Sequence, residues 1–397
     1  MKFITNNCAI ITAILGCVLF STASMSATLE DVDQRLKKLE EDVTVTQAES
    51  ENLANRLKNN MSVTGYADTE YITTNEPGKD DGFRIHHLSL FFKKQISEDL
   101  RFFSEIEFED GSYYDPTNAS NLSTASIPSA SGVPNAKTVG SGKIFAEAVN
   151  FDYQWRPSTS VRIGRFFTPA GIWSVDHYPP FVTTQDRPQH IRKIFPQLVD
   201  GASLSGNHAV GSGFLNYDLY TGNGETTLFD GAKDNNSTKA AGLRVSATLP
   251  IAQHFEIGAT VYRDKLKLSS TDTSQSKKDA KGIHTKIRQG PFGFQAEYAK
   301  GSYEPTIAPD PTKNYDSKGY YGQFTYDIKK WTLGLRHDVY DEKSNTANDE
   351  KRINSAFVNY HVNNNVVLKW EHHLIDVENP ANKDYYKDLA SIVVYLD

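Results

Sequence analysis

Three observations predict an all-β chain, a 16-stranded antiparallel transmembrane β-barrel preceded by a short helical coiled coil. From Met61 to Asp397 apolar and polar side chains alternate in short runs. The gaps between runs are short, then long, then short again, as they are when one end of a barrel carries tight turns and the other extended loops. The mean hydropathy is only −0.51, which fits strands that send every second side chain into lipid.

Residues 1–27 read as a secretion signal: Lys2 is the charged start, Ala9 to Phe20 the apolar core, and residues 21–27 a small-residue cleavage region. That core is too short to span a bilayer as an anchor. Cleavage after Ala23, Ser26 or Ala27 fits equally. A rival reading takes Ile14-Leu15-Gly16-Cys17 as a lipobox, although the apolar run continues past Cys17. Both cysteines, Cys8 and Cys17, fall in this segment, so a processed chain has no disulfide framework. Loss of Lys2 takes the formal charge from −7 to −8, an acidic balance that argues against nucleic-acid binding.

Residues 28–60 form a separate unit, expected in the periplasm. Leu29, Val32, Leu36, Leu39, Val43, Thr46, Ser50, Leu53 and Leu57 are spaced alternately by three and four, the seam of a left-handed coiled coil. A lone helix of this length is marginal in water, so the seam predicts partner helices and a homo-oligomer, read as a trimer. The alternative is a surface helix packed on the barrel rim.

Residues 61–397 carry the barrel. One strand sets Leu100, Phe102, Ile106 and Phe108 against Arg101, Glu105, Glu107 and Glu109. Another sets Ala241, Leu243, Val245 and Ala247 against Gly242, Arg244 and Ser246, and a third sets Trp331, Leu333 and Leu335 against Thr332, Arg336 and Asp338. Short turns fall near 97–99, 156–158, 250–253, 289–291, 328–330 and 363–365. The long gaps are expected near 74–82, 110–143, 168–198, 222–239, 263–281, 301–318, 339–351 and 376–388. Aromatic residues crowd strand ends, as at Phe151-Asp152-Tyr153 and Tyr385-Tyr386, in the manner of interfacial girdles. A soluble sandwich or propeller is the alternative all-β reading, but there is no blade repeat and the two-sided asymmetry of loop lengths speaks against it.

Several segments, in order, resemble the phosphate-selective porin family of O and P type. They are Val161-Arg-Ile-Gly-Arg-Phe-Phe-Thr-Pro-Ala-Gly171, Phe214-Leu-Asn-Tyr-Asp-Leu-Tyr-Thr-Gly-Asn-Gly224, Gly290-Pro-Phe-Gly-Phe-Gln-Ala-Glu-Tyr298, Lys318-Gly-Tyr-Tyr-Gly-Gln-Phe-Thr-Tyr326 and Phe357-Val-Asn-Tyr-His-Val-Asn-Asn-Asn-Val366. The resemblance implies a trimeric channel in the outer membrane of a Gram-negative bacterium, with its third long loop folded inward. Phosphate-specific members carry a dense arginine ladder. Here the loop from Thr168 to Leu198 holds only Arg187, Arg192 and Lys193, with His177 and His190, and Asp176 and Asp186 partly offset them.

Those five basic loop residues are the candidate constriction, since charges at the narrowest point set a pore's preference. Arg187 and Arg192 either meet solutes or pin the loop to wall acids such as Glu105 and Glu107. The wall candidates are Arg101, Glu105, Glu107, Arg162, Arg244, Arg336 and Lys369, with Arg162 and Arg165 on opposite faces of one strand. His86-His87 and His372-His373 invite a metal reading, but neighbours in a regular strand point to opposite faces, so neither pair is expected to chelate one ion. The segment from Asp310 to Asp316 loosely suits calcium yet lacks the glycine and closing glutamate of a loop motif. His372 with Asp376 lacks a nucleophile, so no enzyme is expected, and no cofactor or metal either.

The expected function is passive diffusion of small hydrophilic solutes, with mild preference for phosphate or other anions. The expected surroundings are the lipid bilayer and lipopolysaccharide. A second reading is an envelope-tethering or surface structural barrel whose helix reaches into the periplasm.

Overall fold

The computed structural model describes residues 34–40, 43–44, 61–110, 143–225, 238–267, 275–305, 314–379 and 383–397. The chain divides into two units, Met1–Asn59 and Asn60–Asp397. In the first, residues 34–40 and 43–44 are α-helical. Leu36, Leu39 and Val43 of the expected seam are exposed there, at 54%, 58% and 47%. Leu29, Val32, Leu53 and Leu57 lie outside the described residues, as do the leader and most of the calcium-like segment.

The second unit is a barrel. Its strands run β1 (Met61–Thr74), β2 (Gly82–Gln95), β3 (Leu100–Glu109), β4 (Lys143–Arg156), β5 (Thr159–Phe167) and β6 (Leu198–Val210). They continue as β7 (Gly213–Gly222), β8 (Ala240–Thr248), β9 (His254–Lys267), β10 (Gln275–Gln289) and β11 (Phe292–Pro305). The last are β12 (Tyr315–Ile328), β13 (Trp331–Asp341), β14 (Glu350–His361), β15 (Val366–Val377) and β16 (Tyr385–Leu396). Each pairs antiparallel with its sequence neighbour, and β1 closes on β16 from Gly65↔Leu396 to Thr74↔Lys387. Closure leaves no strand edge unpaired, which is what a β-structure surrounded by lipid needs.

Alternation explains which residues face where. Ile163, Leu219, Ile257, Ile283, Leu335 and Leu374 stand exposed on the outer wall, while Glu105, Ser246, Thr260, His284, Arg336 and His373 are buried inside. The girdle is present too: Trp155, Phe292 and Trp331 are exposed beside short turns. At one of these turns Gly290 takes a φ of 57°, the left-handed conformation that joins two twisted strands through a two-residue connection.

The strand number is as expected, but four long gaps are shorter than the sequence predicts. Residues expected in loops at 263–281, 301–318, 339–351 and 376–388 extend the ladder. In β9 to β11, Arg263–Asp279 (2.6 Å), Lys277–Asp279 (2.8 Å) and Lys277–Glu304 (3.4 Å) form an exposed ionic lattice. Charged strand ends of this kind look like loop in an apolar/polar pattern, yet backbone pairing continues through them.

Candidate functional site

The connection between β5 and β6, residues 168–197, does not stay at the rim. It runs inside the barrel and touches strands on every side of it. It enters at Gly171, whose N–H donates to Thr260 Oγ1 (3.3 Å) and whose carbonyl accepts from Arg244 Nε (3.1 Å). Gly171 has a φ of 55°, the left-handed conformation that favours glycine, and an added Cβ would crowd the Glu297 carboxylate. The next turn is held by Glu297, whose Oε1 accepts from the Trp173 backbone at 3.0 Å and from Tyr321 OH at 2.9 Å.

On the side of β13 to β16 the wall grips the loop. An ammonium has three N–H donors, and Lys369 aims all three at the loop: Pro179 O (2.6 Å), Val182 O (2.6 Å) and Gln185 Oε1 (3.3 Å). Arg336 Nη1 donates to Thr184 Oγ1 (2.6 Å) and to Asp186 O (2.8 Å), while its Nε faces Asp338 at 3.3 Å. Glu371 accepts from the backbone N–H groups of Gln185 (2.5 Å) and Asp186 (3.4 Å), and Asp338 accepts from that of Gln189 (3.3 Å). Asn359 donates to Thr183 O and Gln323 to Thr183 Oγ1, both at 2.8 Å. The Asp186 carboxylate bonds Lys387 and lies 3.7 Å from His373 Nε2. Burial alone would raise the Asp186 pKa, but Lys387 and His373 overcome that and hold it below the usual carboxylate range.

On the side of β1 to β4 the wall is acidic. Asp68, Glu70, Glu105, Glu107 and Glu147 are all buried there. Loop donors reach part of this set. Gln185 Nε2 bonds Asp68 Oδ2 (2.6 Å), Tyr178 OH bonds Glu105 Oε2 (3.2 Å), and Arg192 Nη2 meets Glu147 Oε1 (3.4 Å), which also accepts from Gln197.

The five predicted constriction residues separate in this frame. Arg192 pairs with Glu147 rather than with Glu105 or Glu107, and it takes a φ of 64°, rare for a side chain of its size and costly unless its surroundings hold it. Burial, with Arg187 nearby, draws its pKa down to about 10. Lys193 places its ammonium over the Tyr340 ring at 4.4 Å, a cation–π contact outside the acidic group. His177 and His190 are buried, and burial pulls both pKa values down, that of His190 to about 3. Arg187 is half-buried and makes no ion pair among the described residues.

The predicted wall residues divide similarly. Glu105, Arg244, Arg336 and Lys369 meet the loop from the interior wall, and Glu107 is buried beside them against Tyr66 and His87. Arg162 faces inward on β5 and binds Asp152 through two bonds of 2.7 and 3.2 Å. Arg165, on the opposite face, binds Asp200. Arg101 is exposed near the short-turn end, in register with Asp152. Sequence reasoning missed Asp338, Asn359, Glu371 and Lys387, which hold the loop, although their inward parity on β13 to β16 was a usable signal.

One expectation is corrected. His86 and His87 do not point to opposite faces. The register between β1 and β2 runs Asp68↔His87 and then Thr69↔Ile85, so His86 is an extra residue in a bulge, and both imidazoles meet Asp68. His372 and His373, in a regular strand, do diverge: His372 pairs with Asp388 and His373 with Ser355 and Glu371.

Beside the loop, away from the acidic wall, lies a cavity of about 410 Å³ lined by Asp176, Thr183, Lys286, Arg288, Gln323 and Thr325. Lys286 faces Asp176 at 3.5 Å and Arg288 is bonded to Asp327. The interior is thus a polar space narrowed by a loop whose cations are mostly engaged.

Solved structures share this architecture at identities that speak for fold alone. An anion-selective porin from Comamonas acidovorans aligns with 85% of this chain and 99% of its own at 10% identity, with a TM-score of 0.58. The outer membrane channel DcaP of Acinetobacter baumannii aligns over 85% and 96% at 12% identity, TM-score 0.55. OmpT of Vibrio cholerae in its trimer form aligns over 85% and 99% at 13% identity, TM-score 0.54. An uncharacterized protein of Aquifex aeolicus (strain VF5) is 26% identical over 174 residues, 43% of this chain. The matched stretch spans 33% of that relative's length. A family model described as Gram-negative porin matches residues 43–379, which takes in every strand from β1 to β15 together with the inward loop, and the chain belongs to that family.

Proposed function

We propose that the protein is a passive diffusion channel of the outer membrane for small hydrophilic solutes, with weak ion preference. The observation that carries this reading is the loop at 168–197, bonded inside the barrel to wall groups on β8, β11 and β12 and on β13 to β16, with a polar cavity of about 410 Å³ beside it. Arg162, Arg192, Arg244 and Arg336 are each paired with a carboxylate, which leaves little free guanidinium for a phosphate ladder of the O and P type. Arg187 is the loop cation on which a mild anion preference rests.

The working form is a trimer. Exposed Leu36, Leu39 and Val43 form an apolar seam on the N-terminal helix that copies of the same helix would cover. On this reading residues 1–27 are the leader, residues 28–60 the periplasmic clasp and residues 61–397 the pore.

Planar-bilayer recording tests the reading. Water-filled conductance in triplets of equal steps, with a reversal potential close to that of an unselective pore, is the expected result. A reconstituted barrel that passes no current would overturn it and favour a structural tether.

A further inference from the structure

The bulge in β2 builds a cluster that neither regular alternation nor loop anchoring accounts for. His86 Nδ1 lies 3.2 Å from Asp68 Oδ2, and His87 Nδ1 lies 2.9 Å from Asp68 Oδ1. The two rings are 3.6 Å apart, and the candidate ligand atoms of the three residues all lie within 4.8 Å of one another. At the edge of this set, Glu70 Oε1 is 2.6 Å from His86 Nδ1.

That last contact is a poor hydrogen bond. Glu70 Oε1 and His86 Nδ1 are buried atoms that lack the alignment for a bond with each other or with any other described group. The Glu70 side chain is fully buried, and its other oxygen is fixed by Arg84 through bonds of 2.7 and 3.1 Å. Two buried polar atoms brought together without an aligned hydrogen bond are what a nearby cation would satisfy.

We propose that Asp68, His86 and His87 form a binding site for a divalent transition-metal ion of zinc type inside the barrel, with the Glu70 carboxylate beside His86 at its edge. The chemistry of the set supports the choice. Two imidazoles and carboxylate oxygens suit zinc-class ions, whereas magnesium and calcium take oxygen ligands alone. In tetrahedral zinc coordination the bonds are about 2 Å, which sets neighbouring ligand atoms roughly 3.3 Å apart; Asp68 lies 3.2 Å from His86 and 2.9 Å from His87, and the whole set lies within 4.8 Å. The far nitrogen of His87 faces Glu107 at 3.7 Å, the kind of outer carboxylate that orients a ligating histidine. Strand geometry also contributes, since bulges re-aim side chains, and here one puts consecutive histidines on one face. The site touches the constriction directly through the bond from Gln185 to Asp68.

Equilibrium titration of the full-length chain, purified from outer membranes in detergent and stripped with chelator, tests this with ZnCl2 and MgCl2 as probes. One zinc per chain is expected, with no magnesium binding in the same range. His86→Ala, His87→Ala and the isosteric Asp68→Asn should each weaken zinc at least tenfold, and His372→Ala should leave the titration unchanged. Cobalt absorption on the unmodified chain gives a reading independent of any variant: visible bands of tetrahedral nitrogen and oxygen coordination support the site, and their absence overturns it. Zinc binding unaffected by all three substitutions, or lost only on Glu147→Gln, would also overturn it.

Discussion

The two flanks of the inward loop are built on opposite plans. Along β13 to β16 the wall supplies cations and matched acceptors. Lys369 uses its three donors, Arg336 spans loop and wall, and Glu371 and Asp338 take up loop backbone N–H groups. Along β1 to β4 the wall supplies buried carboxylates in excess of the donors the loop sends; buried side-chain atoms without a hydrogen bond among the described residues occur on both flanks, Glu147 Oε2 here and Asp338 Oδ2 and Asn359 Oδ1 there. A flank whose groups are paired fixes the loop. A flank with surplus acid leaves a field for passing ions and a place for a cation to settle.

Breaking the anchored flank should have the largest effect. Lys369→Met leaves two loop carbonyls and Gln185 without their buried donor, a loss of about 3 kcal/mol by analogy with other buried charge deletions. Single-channel conductance should rise and become noisier as the loop leaves its seat. Unchanged conductance would mean that the loop is held by other contacts.

Changing the open flank should act on selectivity rather than on size. Arg187→Ala removes a loop cation that has no ion-pair partner among the described residues, so the reversal potential should shift toward cations, on the order of twofold in permeability ratio. Conductance should stay within experimental error. Arg192→Ala adds an uncompensated Glu147 and should shift it further in the same direction.

Acidification sharpens the contrast. His177 and His190 are held neutral by burial, with folded pKa values below the free value near 6.5. An unfolded or undocked loop takes up protons first, so docking is fully favoured above about pH 6.5 and weakens as pH falls from there toward about 3. Asp186, with its depressed pKa, keeps its bond to Lys387 until lower pH still. Conductance noise should therefore grow below pH 6.5 and not between pH 7 and 9; a flat profile from pH 7 to 4 would contradict the role given to these histidines.

The smallest effect on the pore is expected from the helix. Leu36→Ser with Leu39→Ser should lower the temperature at which the oligomer dissociates on a semi-native gel, with barrel conductance per step unchanged. An equally heat-resistant oligomer would assign assembly to the barrels.

Much of the barrel was legible in the sequence because lipid on one side and water on the other impose a period of two. Leu243 against Arg244 and Leu335 against Arg336 stand as alternation predicts. Where water bathes both faces that contrast vanishes, and charged stretches such as Lys277-Lys278-Asp279 look like loop although β10 runs through them. The site was legible in its residue types and not in its pairings. Arg192 was visible as a cation, but its partner Glu147 lies on β4, which no local pattern links to the loop. The dihistidine at 86–87 failed for another reason: one extra residue in a ladder flips a side chain, and nothing in the local composition marks it.

The claim beneath all of this is that residues 168–197 lie across the lumen. Gln323 on β12 and Thr183 in the loop are hydrogen-bonded at 2.8 Å, and the sequence has no cysteine after Cys17. With cysteines at both positions, a short bifunctional thiol reagent should bridge them nearly completely in the folded barrel while single-channel conductance stays unchanged. Absence of the bridge, or a bridge that closes the channel, would contradict the account.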